Sequence, residues 1–569
     1  MKRSRILALI VAALMLAAPL GALAAVPDSM NAEGFPIAKE MTTFTVMLRK
    51  DEQDGNWDEL ELMKWLEELT NVRFVYDVNN VEEEYRQQVA LQFISGSYAD
   101  VLITRGGEAM RWYEDEEYGN EGFVIDLKPL IEEYMPNAQA FLKEYPALLG
   151  GQTASDGGMY GLPFYYQGGV GGNPHNWYME TYWVNAAGWD DVPDTVYEMD
   201  QFVRDIKALL DSGDYMRPEE DMYALGIQKQ FGNTPHANIM LAGFTGTLIQ
   251  PHKPWAVPDN KTVEFMVYHP GFREALEMMA GWFRDGIINP DCFTMDPAVY
   301  QANKSATKYA MYTGSSSSLE PDLIRDRVIA EAEGREYYGC TAIRPLTSEY
   351  NDTPKVGYES FGNINQLMIT DKCENPEIIA RWADLFFNQT SDVTDNSIPH
   401  PLNFTRGFYG THWEYTNEER SEWTFLDRPD GQQNDDGTSM ITWDYSRAHL
   451  VPGWSLPCGV YVDNSYAAGS PMYVAKQVTN VVNEYPYCTT DTQFPPLARW
   501  SPEETEAAAT KLADLTIYLE ESWGQFMSGE RPLDDANWEA FIAECQRMGC
   551  DEITEIHQQV YDRWYAALQ

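Results

Sequence analysis

Basic side chains are scarce in this chain. Its 569 residues carry 40 Lys and Arg against 88 Asp and Glu, a formal charge of −48. A surface of that sign repels phosphate backbones and anionic headgroups, so nucleic acid and anionic membrane surfaces are excluded as partners. Histidine is scarce too. The eight residues His175, His236, His252, His269, His400, His412, His449 and His557 include no pair four apart, which leaves a helical histidine metal site without support. The seven cysteines, Cys292, Cys340, Cys373, Cys458, Cys488, Cys545 and Cys550, contain no C-x-x-C, so zinc-ribbon and dithiol redox motifs are absent. Neither H-E-x-x-H nor G-x-S-x-G occurs. The loop Gly168-Gly169-Val170-Gly171-Gly172 lacks the Lys-Ser/Thr that a phosphate cradle needs. Asp430 to Gly437 (D-G-Q-Q-N-D-D-G) offers oxygen ligands for Ca²⁺ but no Glu at the twelfth position, and it reads as an acidic surface loop. No cofactor is implied. With so many acids, chance carboxylate pairs are assured and their separation is not legible, so a glycosidase-type pair stays open.

Long apolar runs are absent beyond the first residues. There, Lys2, Arg3 and Arg5 precede the apolar stretch Ile6–Leu16, and Ala22-Leu23-Ala24 fits small-x-small cleavage, which together read as a secretory signal over residues 1–25. No cysteine follows that stretch before Cys292, so a lipid anchor has no attachment point. Secretion permits disulfides, and Cys458 with Cys488 is a candidate pair. Cys545 and Cys550 lie five apart in a helical pattern, on different faces.

What is present is an alternating pattern. Met41–Leu48 reads as a strand, Asp58–Leu69 as a helix with Leu60, Met63, Leu66 and Leu69 on one side, and Val72–Val78 as a second strand. Glu82–Phe93 is a second helix ending at Gly96, and Val101–Ile103 a third strand entered through Asp100. This order implies a parallel three-layer sheet, with ligands beyond the carboxyl ends of its strands. The loops Arg49-Lys50-Asp51 and Thr104-Arg105-Gly106-Gly107 fall there. Aromatic residues make up 13% of the chain, with 17 Trp. Trp65, Trp282, Trp382, Trp500, Trp523, Trp538 and Trp564 sit in helical patterns and are expected in the core, while loop aromatics are free for contact with a ligand.

Several motifs run in one order along the chain. Ser95-Gly96-Ser97-Tyr98-Ala99-Asp100 is followed by Gly122-Phe123-Val124-Ile125-Asp126-Leu127, Met135-Pro136-Asn137, and Asp156-Gly157-Gly158-Met159-Tyr160-Gly161-Leu162-Pro163. Then come Tyr182-Trp183-Val184-Asn185, Pro193-Asp194-Thr195 with Glu198, Asn375-Pro376-Glu377, and a tail with Gly529-Glu530-Arg531-Pro532-Leu533, Trp538, Phe541 and Tyr561-Asp562-Arg563. This series resembles family 1 of the extracellular solute-binding proteins of ABC importers, and the tail resembles its large LplA-like subfamily of sugar and oligosaccharide binders. Ala99 stands where that family usually has proline.

The resemblance implies a two-lobed, type II periplasmic-binding-protein-like α/β fold. Each lobe would be a three-layer α/β/α sheet, the lobes would be joined by a hinge, and a helical region would close the chain. The expected division is a signal over 1–25, first lobe over 26–162, second lobe over 163–357, a return to the first lobe over 358–400, second-lobe and cleft loops over 401–500, and C-terminal helices over 501–569. The crossings are expected near Tyr160–Phe164 and Gly357–Gly362, Gly-flanked runs suited to a hinge.

The implied function is capture of a neutral oligosaccharide, or another small polar solute, by hinge closure and its delivery to ABC permease subunits. The protein would be monomeric and non-enzymatic. A secreted glycoside hydrolase and a non-transport carbohydrate-interaction protein are the alternatives. Sugars stack flat C–H faces on aromatic rings and need planar donors and acceptors at the rim. On that ground and by position within the family pattern, the candidate ligand contacts are Arg49, Asp51, Arg105, Tyr165, Gln167, Trp177, Tyr178, Tyr312, Arg406, Trp413 and Trp454. His175, Asn176, Phe408, Tyr409, His412, Asp444 and Tyr445 share the same loops.

Overall fold

The computed structural model describes residues 27–105, 114–167, 176–215, 222–227, 238–247, 249, 252–314, 331, 334, 336, 339–353, 356–357, 362–433, 439–461, 465–466, 488–489, 493–495 and 497–568. The strands that build its two main sheets are, in chain order, β1 (Thr42–Arg49), β2 (Val72–Asn79), β3 (Val101–Ile103), β4 (Leu162–Gln167), β5 (Asn176–Glu180), β6 (Tyr223–Leu225), β7 (Tyr309–Gly314), β8 (Cys340–Ala342), β9 (Gly362–Ile369) and β10 (Cys458–Tyr461). One sheet has six strands in the order β10-β4-β9-β3-β1-β2, the other four in the order β8-β5-β7-β6.

Strand alternation gives the first sheet two apolar faces. Val46, Leu48, Val101, Ile103, Leu367 and Ile369 face one cluster, which the helices Glu61–Thr70 and Pro376–Asp384 cover with Leu62, Leu66, Ile378 and Trp382. Met47, Leu102 and Met368 face the other, with Tyr85, Val89 and Phe93 of the helix Glu82–Ser95. The second sheet likewise separates Trp177, Met179 and Met311 from Tyr178, Tyr312 and Ala342. Both lobes are therefore three-layer α/β units.

The sequence motifs are the joints of this frame. Gly96 ends its helix in the left-handed region (φ +69°). Asp100 then accepts from both the amide and the hydroxyl of Thr45 at 2.7 Å, tying the start of β3 to β1. Asp126 accepts from the amides of Lys128 and Met159, which seats the Asp156–Pro163 run beside it. Asn137 and the amide of Ala138 donate to Asp384 at 2.8 Å, so the N-P-E helix supplies the cap for the helix begun by M-P-N. Thr195 and Glu198 form a capping box. Gly161 is required by proximity, since a Cβ there would stand 2.8 Å from Cα of Asn365 in β9.

The chain enters the second sheet after β4 and returns at β9. Residues 401–500 are expected as second-lobe and cleft loops, and the part from Asn403 to Leu456 packs on the first sheet and its helices. Trp413, Trp423, Phe425, Leu450 and Leu456 join its core, and the amide of Leu62 donates to the carbonyl of Leu450. Cys458 is a free thiol within β10, outside the expected pair with Cys488. Cys545 and Cys550 are both fully buried. The expected core tryptophans Trp282, Trp382, Trp500 and Trp523 are buried, and Trp65, Trp538 and Trp564 are partly so.

The helices Pro502–Ser528, Asp535–Arg547 and Cys550–Ala567 touch both lobes. The first lies against Pro270–Arg284 of the second lobe, and the last against Pro146–Gln152 of the first. Arg499, just ahead of them, reaches both carboxylate oxygens of buried Asp115 at 2.7 Å, and Arg563 in turn donates to the carbonyl of Arg499. No helix among the described residues is long and apolar enough to cross a membrane.

Candidate functional site between the sheet edges

Strand directions fix where a ligand would be met. β9 is antiparallel to both β4 and β3, and β1 is parallel to β3, so β1, β3 and β4 end at one edge of the first sheet. That edge is where the chain leaves β4 for the second lobe and re-enters at β9. In the second sheet β5 begins at the crossing side, and β7 and β8, antiparallel to it, end there. The loops after β1 and β3 therefore lie at the edge where the chain crosses between the sheets, and the start of β5 with the ends of β7 and β8 forms the crossing-side edge of the second sheet.

At the first edge the structure gathers Arg49, Asp51 and Arg105 into one charged network. Asp51 Oδ2 lies 2.5 Å from Arg105 Nη2 and 3.0 Å from Arg447 Nη2, and Asp51 Oδ1 lies 3.4 Å from Arg49 Nη1. Asp54, 2% exposed, holds Arg447 Nε at 2.8 Å and accepts from the amide of Asp51 at 3.0 Å. Lys50 donates to the carbonyl of Asp54 at 2.7 Å. Arg105 adopts a left-handed backbone (φ +49°). Burial pulls its guanidinium below the usual arginine range, against the pull of Asp51 and Asp54. For Arg447 burial also lowers, but Asp54 and Asp51 outweigh it and the net direction is up. The three arginines and Lys50 stand against two carboxylates, so the network presents fixed donors and acceptors and keeps a net positive charge.

Asp54 and Arg447 escaped the sequence reading. Asp54 had a signal in its spacing, since D-E-Q-D-G is a tight acidic turn in which the Asp54 amide returns to the Asp51 carbonyl. Arg447 had none. It lies on the helix Trp443–His449, far along the chain, and only the docking of that helix on the loop after β1 brings it in.

At the second edge Tyr178 and Tyr312 are directly paired across β5 and β7. Both are buried and belong to the same continuous apolar cluster as the first-lobe core. The hydroxyl of Tyr178 has no hydrogen-bond partner among the described residues, and burial pushes that phenol up. Lys304 stands 5.5 Å over the Tyr312 ring. Tyr165 sits at the crossing strand, half-buried against Tyr145 with centroids 4.7 Å apart.

The remaining candidates are placed elsewhere. Trp177 alternates to the opposite face from Tyr178 and is fully buried near Trp282, 6.2 Å between centroids. Arg406 is buried between Trp423 and Trp413, its Cζ 3.8 and 4.9 Å from their centroids. Trp413 itself is fully buried and donates to the carbonyl of Gly407. Trp177 is turned inward by the alternation of β5, and Arg406 and Trp413, at the end of the helix Asn403–Arg406 and the start of the strand Trp413–Tyr415, pack on each other and on Trp423. Gln167 closes β4 and Trp454 lies in the single turn Gly453–Ser455; their side chains are outside the described set. His175, the Gly168–Gly172 loop and residues 434–437 of the acidic loop also lie outside the described residues. Among the described residues no group of three His, Cys, Asp or Glu could hold a metal ion.

The chain is 21% identical over 97% of its length, and 98% of the relative's, to the fructooligosaccharide ABC transporter substrate-binding protein FusA of Streptococcus pneumoniae. The solved structure of FusA in complex with kestose superposes with a TM-score of 0.68, at 17% identity over 92% of this chain and 100% of that one. An extracellular solute-binding protein from Bifidobacterium longum subsp. infantis superposes with a TM-score of 0.71, at 17% identity over 94% and 99%. The chain has the fold of the ABC-transporter solute-binding proteins. No family model matches the sequence.

Proposed function

We propose that this protein is the extracytoplasmic substrate-binding subunit of an ABC importer and that it captures a neutral oligosaccharide between its lobes for delivery to the permease. Full-length similarity to FusA, a fructooligosaccharide-binding relative, supports this reading. The observation that carries it here is the Arg–Asp network of fixed donors and acceptors at the end of the first sheet, together with the paired tyrosines of the second. Sugar hydroxyls need donors and acceptors held in place, and sugar C–H faces need rings. Arg49, Asp51, Arg105, Tyr165, Tyr178 and Tyr312 are the contacts assigned to this role. The ligand acts by preferring the closed arrangement of the lobes. The protein is read as a binder without catalysis, monomeric, exported by the leader over residues 1–25 with cleavage near Ala24. The LplA-like placement rests on the motif order of the tail.

The test is a thermal-shift screen of residues 26–569 against neutral and charged oligosaccharides, kestose and nystose included, with chromatographic recovery of each sugar. A ligand at 100 times its dissociation constant stabilises by about 2.7 kcal/mol. One sugar class that raises the melting temperature and is recovered intact supports the proposal. Slow breakdown of a sugar overturns it in favour of a hydrolase.

A further inference from the structure

Within the charged network the two carboxylates are not equivalent. Asp54 is almost wholly buried, whereas the Asp51 side chain is 31% exposed. Arg447 spans both, with Nε on Asp54 at 2.8 Å and Nη2 on Asp51 at 3.0 Å, so its guanidinium plane is held at two points. Among the described residues its remaining nitrogen, Nη1, reaches only the exposed amide oxygen of Gln53, at 3.5 Å, which is long for a hydrogen bond. Asp51 shows the same asymmetry. Its Oδ2 holds two arginines, and among the described residues its Oδ1 has only Arg49 at 3.4 Å.

The geometry points to Arg447 and Asp51 as a specificity pair for a vicinal diol, with Asp54 as the residue that positions Arg447. Arg447 Nη1 is the donor and Asp51 Oδ1 the acceptor. Each is oriented by a shorter bond made through another atom of the same planar group, so little side-chain freedom is lost when a sugar arrives. Two adjacent sugar hydroxyls, one accepting and one donating, satisfy both. The helix that carries Arg447 is itself set against the loop. The amide of Gly55 donates to the carbonyl of Arg447 at 3.0 Å, and that of Leu62 to the carbonyl of Leu450. At Gly55 even a methyl group would stand 2.0 Å from the carbonyl oxygen of Ala448. A residue from late in the chain thus completes the floor laid by the loops after β1 and β3. This inference rests on the cleft reading and adds to it the ligand feature recognised there, an unblocked pair of neighbouring hydroxyls.

The test compares the wild type with Arg447→Lys, Arg447→Met and Asp51→Asn, using the sugar recovered from the screen and its partly O-methylated derivative. The wild type is expected to bind the parent sugar at least tenfold more tightly than the derivative blocked at the recognised diol. Arg447→Lys keeps a charge beside Asp54 but loses the fork, and Asp51→Asn keeps the shape but loses the carboxylate. Both are expected to weaken binding of the parent sugar and to bring the parent-to-derivative ratio close to one. A purely structural role would lower both affinities together and keep the ratio. Unchanged affinity or an unchanged ratio in both conservative variants overturns the assignment, whatever happens to Arg447→Met. A wild type that binds no sugar in the screen overturns the cleft reading itself, a result distinct from either of these.

Discussion

Removing Arg499 would leave a carboxylate buried without its cation. Asp115 is fully buried and holds Arg499 Nη2 with both oxygens at 2.7 Å each, with support from the Glu116 amide and the Asn365 side chain, while the Glu116 carboxylate stands 3.7 Å from the same nitrogen. Burial pushes the Asp115 carboxyl above its ordinary value despite Arg499. Deleting one partner of a buried pair costs about 3–5 kcal/mol, whereas replacing both with apolar residues of similar volume is often close to neutral. Arg499→Met is therefore expected to lose about 3–5 kcal/mol at pH 7, and Asp115→Leu with Arg499→Met to recover most of it. The pH dependence has a fixed sign. A carboxyl whose folded pKa lies above its unfolded value favours the folded state more as it takes up a proton, so the penalty in Arg499→Met is full at neutral pH. It should shrink as the pH falls toward the unfolded carboxylate value of 3.8. Urea unfolding followed by circular dichroism and tryptophan fluorescence, at several pH values from 7 down to 4.5, reads both effects. A loss below about 1 kcal/mol at pH 7, a pH-independent loss, or a double variant as weak as the single one would refute the reasoning.

Three further expectations rest on the same geometry. His557 is stacked on Trp255 at 4.2 Å and edged by Phe494 and Trp500, and burial lowers its pKa to about 4. The unfolded chain then binds the extra proton, so stability falls as the pH drops from 6.5 toward 4; His557→Gln should flatten that fall by up to about 1.4 kcal/mol per pH unit in denaturant titrations. Asp384→Ala leaves the amides of Ala138 and Asn137 without their acceptor, and a loss of about 1–3 kcal/mol in urea unfolding is expected. Gly55→Ala places a methyl against the Ala448 carbonyl, so hydrogen exchange should quicken across residues 443–451 and sugar affinity should drop more than tenfold.

Much of the frame was legible because it is local. Val101–Ile103 was read to the residue, and β1, β2 and the first two helices within a few residues, because period-2 and period-3.6 patterns and the Gly96 stop all act within a short window. The motifs pointed to the family, and the structure supplies their physics: Asp100 on Thr45, Asp126 on Met159, and Asn137 on Asp384 are joints. The site was half legible. Loops after β1 and β3 could be placed by topology, which brings Arg49, Asp51 and Arg105 to one edge of the first sheet. Arg447 could not, since its place depends on a helix docking across the chain. Trp177, Arg406 and Trp413 lie deeper than their loops suggest, for the opposite reason. An aromatic in a loop looks available in sequence, but Trp177 follows the inward alternation of β5, and Arg406 is enclosed by Trp413 and Trp423. The seating of residues 403–456 on the first lobe was invisible as well, because no periodicity records which of two cores an aromatic segment joins.

Small-angle scattering of residues 26–569, with and without a saturating amount of the sugar that stabilises them, tests the central claim most directly. Capture by lobe closure predicts a smaller radius of gyration in the bound state and a sugar recovered unchanged. An unchanged radius at saturation, or a sugar found cleaved, would contradict it.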